Sequence, residues 1–462
     1  MSKSTNSDPV QVSVGQKFPL TIKRLGINGE GIGYFKRKIV FVPGALPNEV
    51  ITAKVTEVDP KFIRAKCQRI RKASADRVTP KDALYGQVGG LELAHMSYPA
   101  QLRFKRDVVV QSLEKFKPTG YQHYNLKPTI SAKPTHYRNK AQFPVQKVDD
   151  RVIAGLYQEG SHHLVDIETI STQMLLVDKT LHQLKRVLQE TDAPIYDEQK
   201  HTAGIRHLVV RASATTKQIQ VTLIVSDRSL LQSPKLFGRI QTRIPDITSL
   251  FINVNSKRTS LIWGDHTEKI YGPNWIQEKI HGKVFNLSPQ AFFQLNPRQT
   301  QKLYQLAADA FHFTGQETLV DAYCGVGTLG ITFADQVKAV WGMDIVPEGI
   351  ADAKENARLN QVTNCHYLVG KAEELLVHWF ETGKQIDALV VDPPRVGLSP
   401  KLTQAIIQAK PKQFVYISCN PSTLARDLVT LSKAYQVDYI QSIDMFPQTA
   451  RCEAVVKLTL KS

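Results

Sequence analysis

LVDAYCGVGTLGI, residues 319–331, is the stretch on which the reading of the chain turns. Apolar residues and one acid lead into Gly325, Gly327 and Gly330, the pattern of a buried parallel strand that turns tightly into a helix and lets a cofactor approach the backbone. Three later pieces fall where neighbouring strands end: Met343-Asp344 after VKAVWG, Asp392-Pro393-Pro394-Arg395 after IDALVV, and Ser418-Cys419-Asn420-Pro421 after FVYI. Ligands of open α/β sheets sit beyond the carboxyl ends of the strands, so these pieces predict a single crevice. Upstream, Asn296-Pro297 predicts a helix start, with Asn as cap, Pro at the first position and Leu303, Leu306, Ala310 and Phe311 on the apolar face. Downstream, VDYIQSIDMF and EAVVKLTL are read as strands finishing the sheet.

The whole chain has 462 residues, 42% hydrophobic and 22% charged, a globular composition with room for two to four domains of roughly 100–200 residues each. A formal charge of +17 points to a polyanionic partner or an anionic surface. Residues 17–72 alone carry 13 Lys or Arg against 4 acids. No apolar run is long enough to span a membrane, and the polar MSKSTNSDPV lacks a signal-peptide core, so a soluble cytoplasmic protein without membrane association is expected. Cys67, Cys324, Cys365, Cys419 and Cys452 show no paired spacing, against both a disulfide framework and a multi-cysteine metal site.

Residues 1–12 are read as a loose lead. Short β-like runs over 13–72, FPLTIKRL, GIGYFKRKIVFVPG, EVITAKVTEV and FIRAKCQRI, predict a small basic barrel suited to nucleic acid. The span 73–290 reads as mixed α+β. It holds a helix in PAQLRFKRDVVVQSLEK, a proline-containing connector over 117–134 and a helix over 173–189. Its strands are YRNKAQFPVQ, VIAGLYQ, HHLVDI, HLVVRAS, QIQVTLIVS, SLFINVN and KVFNLS. Ile219, Val221, Leu223 and Val225 alternate with mostly polar residues, the pattern of a half-buried strand. Residues 291–462 form the catalytic candidate.

Gly325-x-Gly327-x-x-Gly330 with Asp344, 23 residues after Asp321, supports a nucleoside-containing cofactor. The glycines do not separate a nicotinamide from S-adenosylmethionine. Asp392-Pro393-Pro394-Arg395 makes a rigid turn after a strand-end carboxylate, since each proline fixes its φ and restricts its predecessor. It resembles the Asp/Asn-Pro-Pro-aromatic motif of methyltransferases acting on exocyclic amines, with Arg395 in place of the aromatic. Cys419, at the crevice and before a helix, is a candidate nucleophile whose thiolate helix amides would favour; packing is the alternative. Cys324 reads as backbone packing. Glu453 is a candidate general base, or else a surface acid.

With these motifs in place, the chain resembles the uracil-5 RNA methyltransferase family, through SPQAFFQLNPRQ, LVDAYCGVGTLG, VVDPPRVGL, YISCNPSTLARDL and MFPQTARCE. The resemblance implies a C-terminal Rossmann-like S-adenosylmethionine methyltransferase domain (291–462), an α+β RNA-recognition domain (73–290) and a small N-terminal β-barrel of the TRAM type (13–72). It implies S-adenosylmethionine contacts at Gln294, Tyr323, Gly325, Asp344 and Asp392, with Asp344 shorter than the family's usual Glu. Cys419 becomes the nucleophile and Glu453 the base, preceded by Arg451-Cys452 instead of His-Val. Where the family often holds an iron-sulfur cluster, Asp82, Val88, Leu91 and Ile170 replace the cysteines, so no cluster is expected and a packed apolar substitute is.

The implied reaction is Cys419 addition at uracil C6, methylation at C5 and removal of the C5 proton by Glu453. The expected partner is RNA, with 23S rRNA preferred because cluster-lacking forms with an N-terminal barrel occur among bacterial rRNA enzymes, and transfer RNA as runner-up. No obligatory protein partner is inferred. A nicotinamide-dependent oxidoreductase, a noncatalytic RNA-binding protein and a cytosine-5 RNA methyltransferase are the competing readings.

Overall fold

The computed structural model describes residues 12–229 and 233–461, so the lead expected over 1–12 lies, but for Val12, outside the described residues. Strands β1 (Lys17–Leu25), β2 (Gly31–Phe35), β3 (Lys38–Val42), β4 (Val50–Val58) and β5 (Phe62–Lys72) close into a barrel in the order β1-β2-β3-β5-β4. Period-2 alternation along β1 sends Phe18, Leu20 and Ile22 inward and leaves Lys17 and Lys23 outside. The run GIGYFKRKIVFVPG is divided at Lys36-Arg37, which take φ of 47° and 68° and join antiparallel β2 and β3. Positive φ at both turn residues matches the twist of a two-residue hairpin.

Helix α1 (Tyr98–Phe116) follows as predicted. The connector read over 117–134 contains a strand, β6 (Leu126–Ile130), which joins the edge of the C-terminal sheet. Pro128 is tolerated there because an edge strand need not donate every N–H.

The next sheet is built from β7 (Lys140–Val148), β8 (Arg151–Tyr157), β9 (Leu164–Asp166), β10 (Ile205–Ala212), β11 (Ile219–Val225), β12 (Ile247–Val254) and β13 (His266–Tyr271), ordered β13-β12-β11-β10-β7-β8-β9. Helices α2 (Leu175–Glu190) and α3 (Pro234–Arg243) pack with it. Strand β11, read as half-buried, is buried at all seven positions. Its polar residues face a second packed layer, where Gln220 Nε2 donates to Leu287 O at 3.2 Å. Val88, Leu91 and Ile170 are buried in this core, the apolar substitute expected at the cluster positions. Asp82 accepts from the Ser171 and Leu84 amides at 2.7 and 2.9 Å.

A hairpin of β14 (Ile276–Ile280) and β15 (Lys283–Leu287) leads to α4 (Pro297–Ala310), capped by Asn296, whose Oδ1 accepts from Gln299 N at 3.3 Å. Then come β16 (Thr318–Ala322), α5 (Thr328–Phe333), β17 (Ala339–Asp344), α6 (Pro347–Leu359), β18 (Cys365–Val369) and α7 (Ala372–Glu381). They are followed by β19 (Ala388–Val391), α8 (Pro400–Ala409), β20 (Gln413–Ser418), α9 (Pro421–Leu431), β21 (Tyr435–Ile443) and β22 (Glu453–Leu460). The eight strands run β18-β17-β16-β19-β20-β22-β21-β6. The first five are parallel, and β22 pairs antiparallel with both neighbours. Leu389 and Val391 enter one core and Ala388 and Val390 the other, which is why IDALVV is apolar throughout. Helix α1 packs on the first of these cores through Phe104 and Val108, together with Leu25 and Leu46 of the barrel. Among the described residues no helix is long and apolar enough to cross a membrane.

Candidate active site

Register brings the site together. Ala322 pairs with Met343 on one side and Val391 on the other, so Tyr323, Asp344 and Asp392 leave adjacent strands at the same level. Ser418 pairs with Ala454, and because β22 is antiparallel, its first residue Glu453 lies opposite Cys419, which follows the last residue of β20. One end of the sheet therefore carries Tyr323, Asp344, Asp392, Cys419 and Glu453.

The glycine turn is braced from beneath. Asp344 accepts the Gly325 amide at 3.1 Å through one carboxylate oxygen and the Val346 amide at 2.9 Å through the other. Asp321, buried inside β16, accepts the Gly330 amide at 3.0 Å. Burial pushes its pKa up to about 7, with Asp392 and Asp344 adding to the rise and the Gly330 bond opposing it. Asp321 entered the sequence reading only as a landmark; an acid inside the apolar run LVDA was the available signal. Gly327 needs to be glycine on two counts: its φ is +78°, and a Cβ would lie 2.7 Å from the Tyr367 hydroxyl oxygen. Above Gly325, by contrast, a Cβ would meet nothing within 4 Å.

That open space over a positive-φ glycine, beside a carboxylate and the exposed apolar Ile345 and Val346, suits a nucleoside-bearing cofactor. Tyr323 stands at the turn, its φ at 70° and its hydroxyl pushed up to about 12 by burial and then by Glu373. Gln294 reaches across and donates from Nε2 to Asp392 at 3.3 Å. Cys324 is buried, and burial holds its thiol well above the ordinary range, in keeping with a packing role.

Glu453 is buried and Asp392 half-buried, near enough for the charge of one to act on the other. Burial raises the proton affinity of both, and the Asp392 charge raises that of Glu453 further, while the Gln294 bond opposes the rise at Asp392. Glu453 is thus no surface acid. Cys419 sits half-buried before α9, whose cap Asn420 accepts the Ser422 amide at 3.1 Å and donates to Arg395 O at 2.9 Å. Thr423 also donates to Arg395 O, fixing the Cys419 loop to the Asp-Pro-Pro-Arg turn. The thiol is not lowered by the helix as the sequence predicted. Burial, then Glu453 and Asp392, push it up to about 11, with Arg395 opposing. Cys419 therefore rests as a thiol. Arg451 is exposed, and Cys452 turns away from the crevice to the opposite face, where its Sγ donates to Lys105 O at 3.2 Å. Phe292, Ile345 and Val396, 69%, 65% and 70% exposed, project from loops carrying site residues.

Residues 97–461 match the tRNA (uracil-5-)-methyltransferase sequence family, and residues 11–67 match the TRAM domain. An uncharacterized RNA methyltransferase of Lactiplantibacillus plantarum is 54% identical over 449 residues, 97% of this chain and 93% of that protein. Another, from Enterococcus faecalis, is 51% identical over 451 residues, 97% of this chain and 99% of that protein. Among solved structures, the Pyrococcus abyssi tRNA (uracil-54, C5)-methyltransferase in complex with S-adenosyl-L-homocysteine aligns with a TM-score of 0.77 and 27% identity. That alignment covers 96% of this chain and 99% of the other.

Proposed function

Since the chain belongs to the tRNA (uracil-5-)-methyltransferase family and is an S-adenosylmethionine-dependent RNA (uracil-5-)-methyltransferase, we propose that it makes 5-methyluridine in transfer RNA through a covalent Cys419 adduct. The observation that carries the chemistry is the antiparallel register of β20 and β22, which sets Cys419 against Glu453 beside Asp392.

Uracil C5 is a poor nucleophile until a nucleophile adds at C6. Asp392, whose proton affinity burial raises, offers the Cys419 proton an acceptor and returns it when the thiolate leaves, so that Glu453 stays free for the C5 proton. The thiolate forms the S–C6 bond and moves the C5=C6 pair onto C5. S-adenosylmethionine, when bound, supplies an electrophilic sulfonium methyl group for that carbon, and Gln294, Tyr323, Gly325, Asp344 and Asp392 are the residues proposed to hold it. Glu453 takes the C5 proton; the C5–H pair re-forms the double bond and the S–C6 pair returns to Cys419. The target base must leave its stack to reach a crevice at a sheet edge, with the basic barrel (13–72) and the middle domain (73–290) holding RNA around the catalytic domain (291–462) in the cytoplasm.

The preference for 23S rRNA drawn from the sequence gives way to transfer RNA, because both the family description and the aligned solved enzyme name transfer RNA. Ribosomal RNA remains the second reading, carried by the buried Val88, Leu91 and Ile170 at the cluster positions. Purified protein and methyl-labelled S-adenosylmethionine, incubated with unmodified tRNA, 23S rRNA and 16S rRNA, followed by nucleoside analysis, decides the matter. Labelled 5-methyluridine in tRNA is expected; label in 23S rRNA alone transfers the proposal to that RNA. Labelled 5-methylcytidine, or no labelled nucleoside in any pool, overturns it.

A further inference from the structure

The loop 444–452 joins β21 to Glu453, and side chains from distant parts of the chain hold it. Asp444 is fully buried; its carboxylate accepts from Lys105 Nζ and from the Tyr98 hydroxyl at 2.9 Å, and its carbonyl accepts from Gln299 Nε2 at 3.2 Å. Asn296 Nδ2 donates to Met445 O at 3.0 Å, Lys105 Nζ to Phe446 O at 2.9 Å, and Tyr137 OH to Pro447 O at 2.9 Å. Gln101 and Gln448 exchange two bonds, each 3.0 Å. At the far end, Cys452 Sγ donates to the Lys105 carbonyl at 3.2 Å.

Lys105 is therefore the one residue of α1 bonded to both ends of the loop, its ammonium to Asp444 and Phe446 and its carbonyl to Cys452, next to Glu453 in sequence. A fully buried ion pair adds little net stability over apolar packing, so its presence is better accounted for by the geometry it fixes. We propose that Lys105 is a positioning residue for Glu453: clamped to α1, the loop enters β22 with only one path, and the carboxylate opens the strand facing Cys419. The proposal rests on the reading of Glu453 as the base.

The test separates the two halves of the reaction. The full chain is given S-adenosylmethionine and the tRNA or 23S rRNA transcript that accepts label, carrying tritium at uridine C5. Adduct is read as an SDS-stable protein–RNA band and proton removal as tritium released. Lys105→Met is expected to keep adduct formation while tritium release falls on the order of 100-fold, the effect of roughly 1 Å of misplacement, so that adduct accumulates. Tyr98→Phe, which removes one bond to Asp444, shifts the same ratio less. Should Lys105→Met fail to fold, the charge-free pair Lys105→Met with Asp444→Asn takes its place. Folded variants in which adduct and release fall by one common factor, or in which neither changes, overturn the proposal. Glu453→Gln, run alongside, must itself accumulate adduct; if it does not, the base assignment has failed and not merely the positioning.

Discussion

Replacing Glu453 by Gln is expected to make Cys419 more reactive while abolishing turnover. The thiol is held up to about 11 first by burial and next by the Glu453 charge. Cross-strand neighbours stand about 5 Å apart, and two unit charges at that distance in an effective dielectric of about 20 interact by roughly 3 kcal/mol, or about 2 pKa units. Losing Glu453 also frees Asp392 to ionise more readily, which returns part of the negative field, so a fall of about 1–2 units is expected. Lower-pKa thiolates are weaker nucleophiles, with a Brønsted slope of about 0.4–0.5, so the alkylation rate at pH 8 rises only about three- to tenfold. The midpoint of the pH–rate curve is thus the cleaner readout. The assay is iodoacetamide labelling of the folded protein from pH 7 to 11, followed by peptide mapping, because Cys67 and Cys365 are also partly exposed. An unmoved or raised midpoint would refute the electrostatic coupling between the two residues.

Four further outcomes are expected. Asp321, with a folded pKa of about 7 against an ordinary value of 3.8, binds its proton more tightly folded than unfolded, so its contribution is intact below about pH 4 and lost as pH rises toward 7. Asp321→Asn should therefore add stability of order 4 kcal/mol at pH 8 and almost none at pH 4, as measured by urea unfolding at both. Gly325→Ala should fold, at a cost of about 1 kcal/mol for its φ of +53°, yet bind S-adenosylmethionine more weakly by calorimetry, because the methyl group enters the open cradle. Gly327→Ala should instead destabilise the protein by about 1–3 kcal/mol, since its Cβ meets Tyr367; equal melting temperatures for the two would contradict this. Neutralising Lys36, Arg37 and Lys38 on the barrel hairpin should lower RNA affinity and flatten its salt dependence, with S-adenosylmethionine binding unchanged. The log–log slope should shrink by about 0.7 for every single-strand phosphate that the hairpin no longer neutralises.

The parallel half of the catalytic sheet was legible because it is covered on both sides: Leu319, Val320, Val390 and Val391 must all be apolar, and each run ends at a residue that carries chemistry. The alternation of β11 misled for the complementary reason, since Gln220, which donates to Leu287 O, and Thr222 are buried and not exposed. Strand β6 was missed because LKPTI is short and carries a proline, and only its partner far along the chain, Ile440 opposite Leu126, makes it a strand. The helix before which Cys419 sits was visible, but its thiol responds to two carboxylates and to burial, and these come from strands distant in sequence. Lys105 and Asp444 carry no signal in the sequence, because only the fold encloses them and brings them together.

The pairing of β6 with β21 joins two distant parts of the chain. Leu126 and Ile440 are neighbours in one sheet, and between them the chain builds the entire middle sheet and the five parallel strands. The catalytic layer is thus a clasp with one half made early and the other late, and non-local pairing of this span closes slowly. Until β21 and β22 arrive, β20 presents a bare apolar edge and Cys419 has no carboxylate opposite it. A fragment that begins after β6 would expose the same kind of unpaired edge on β21.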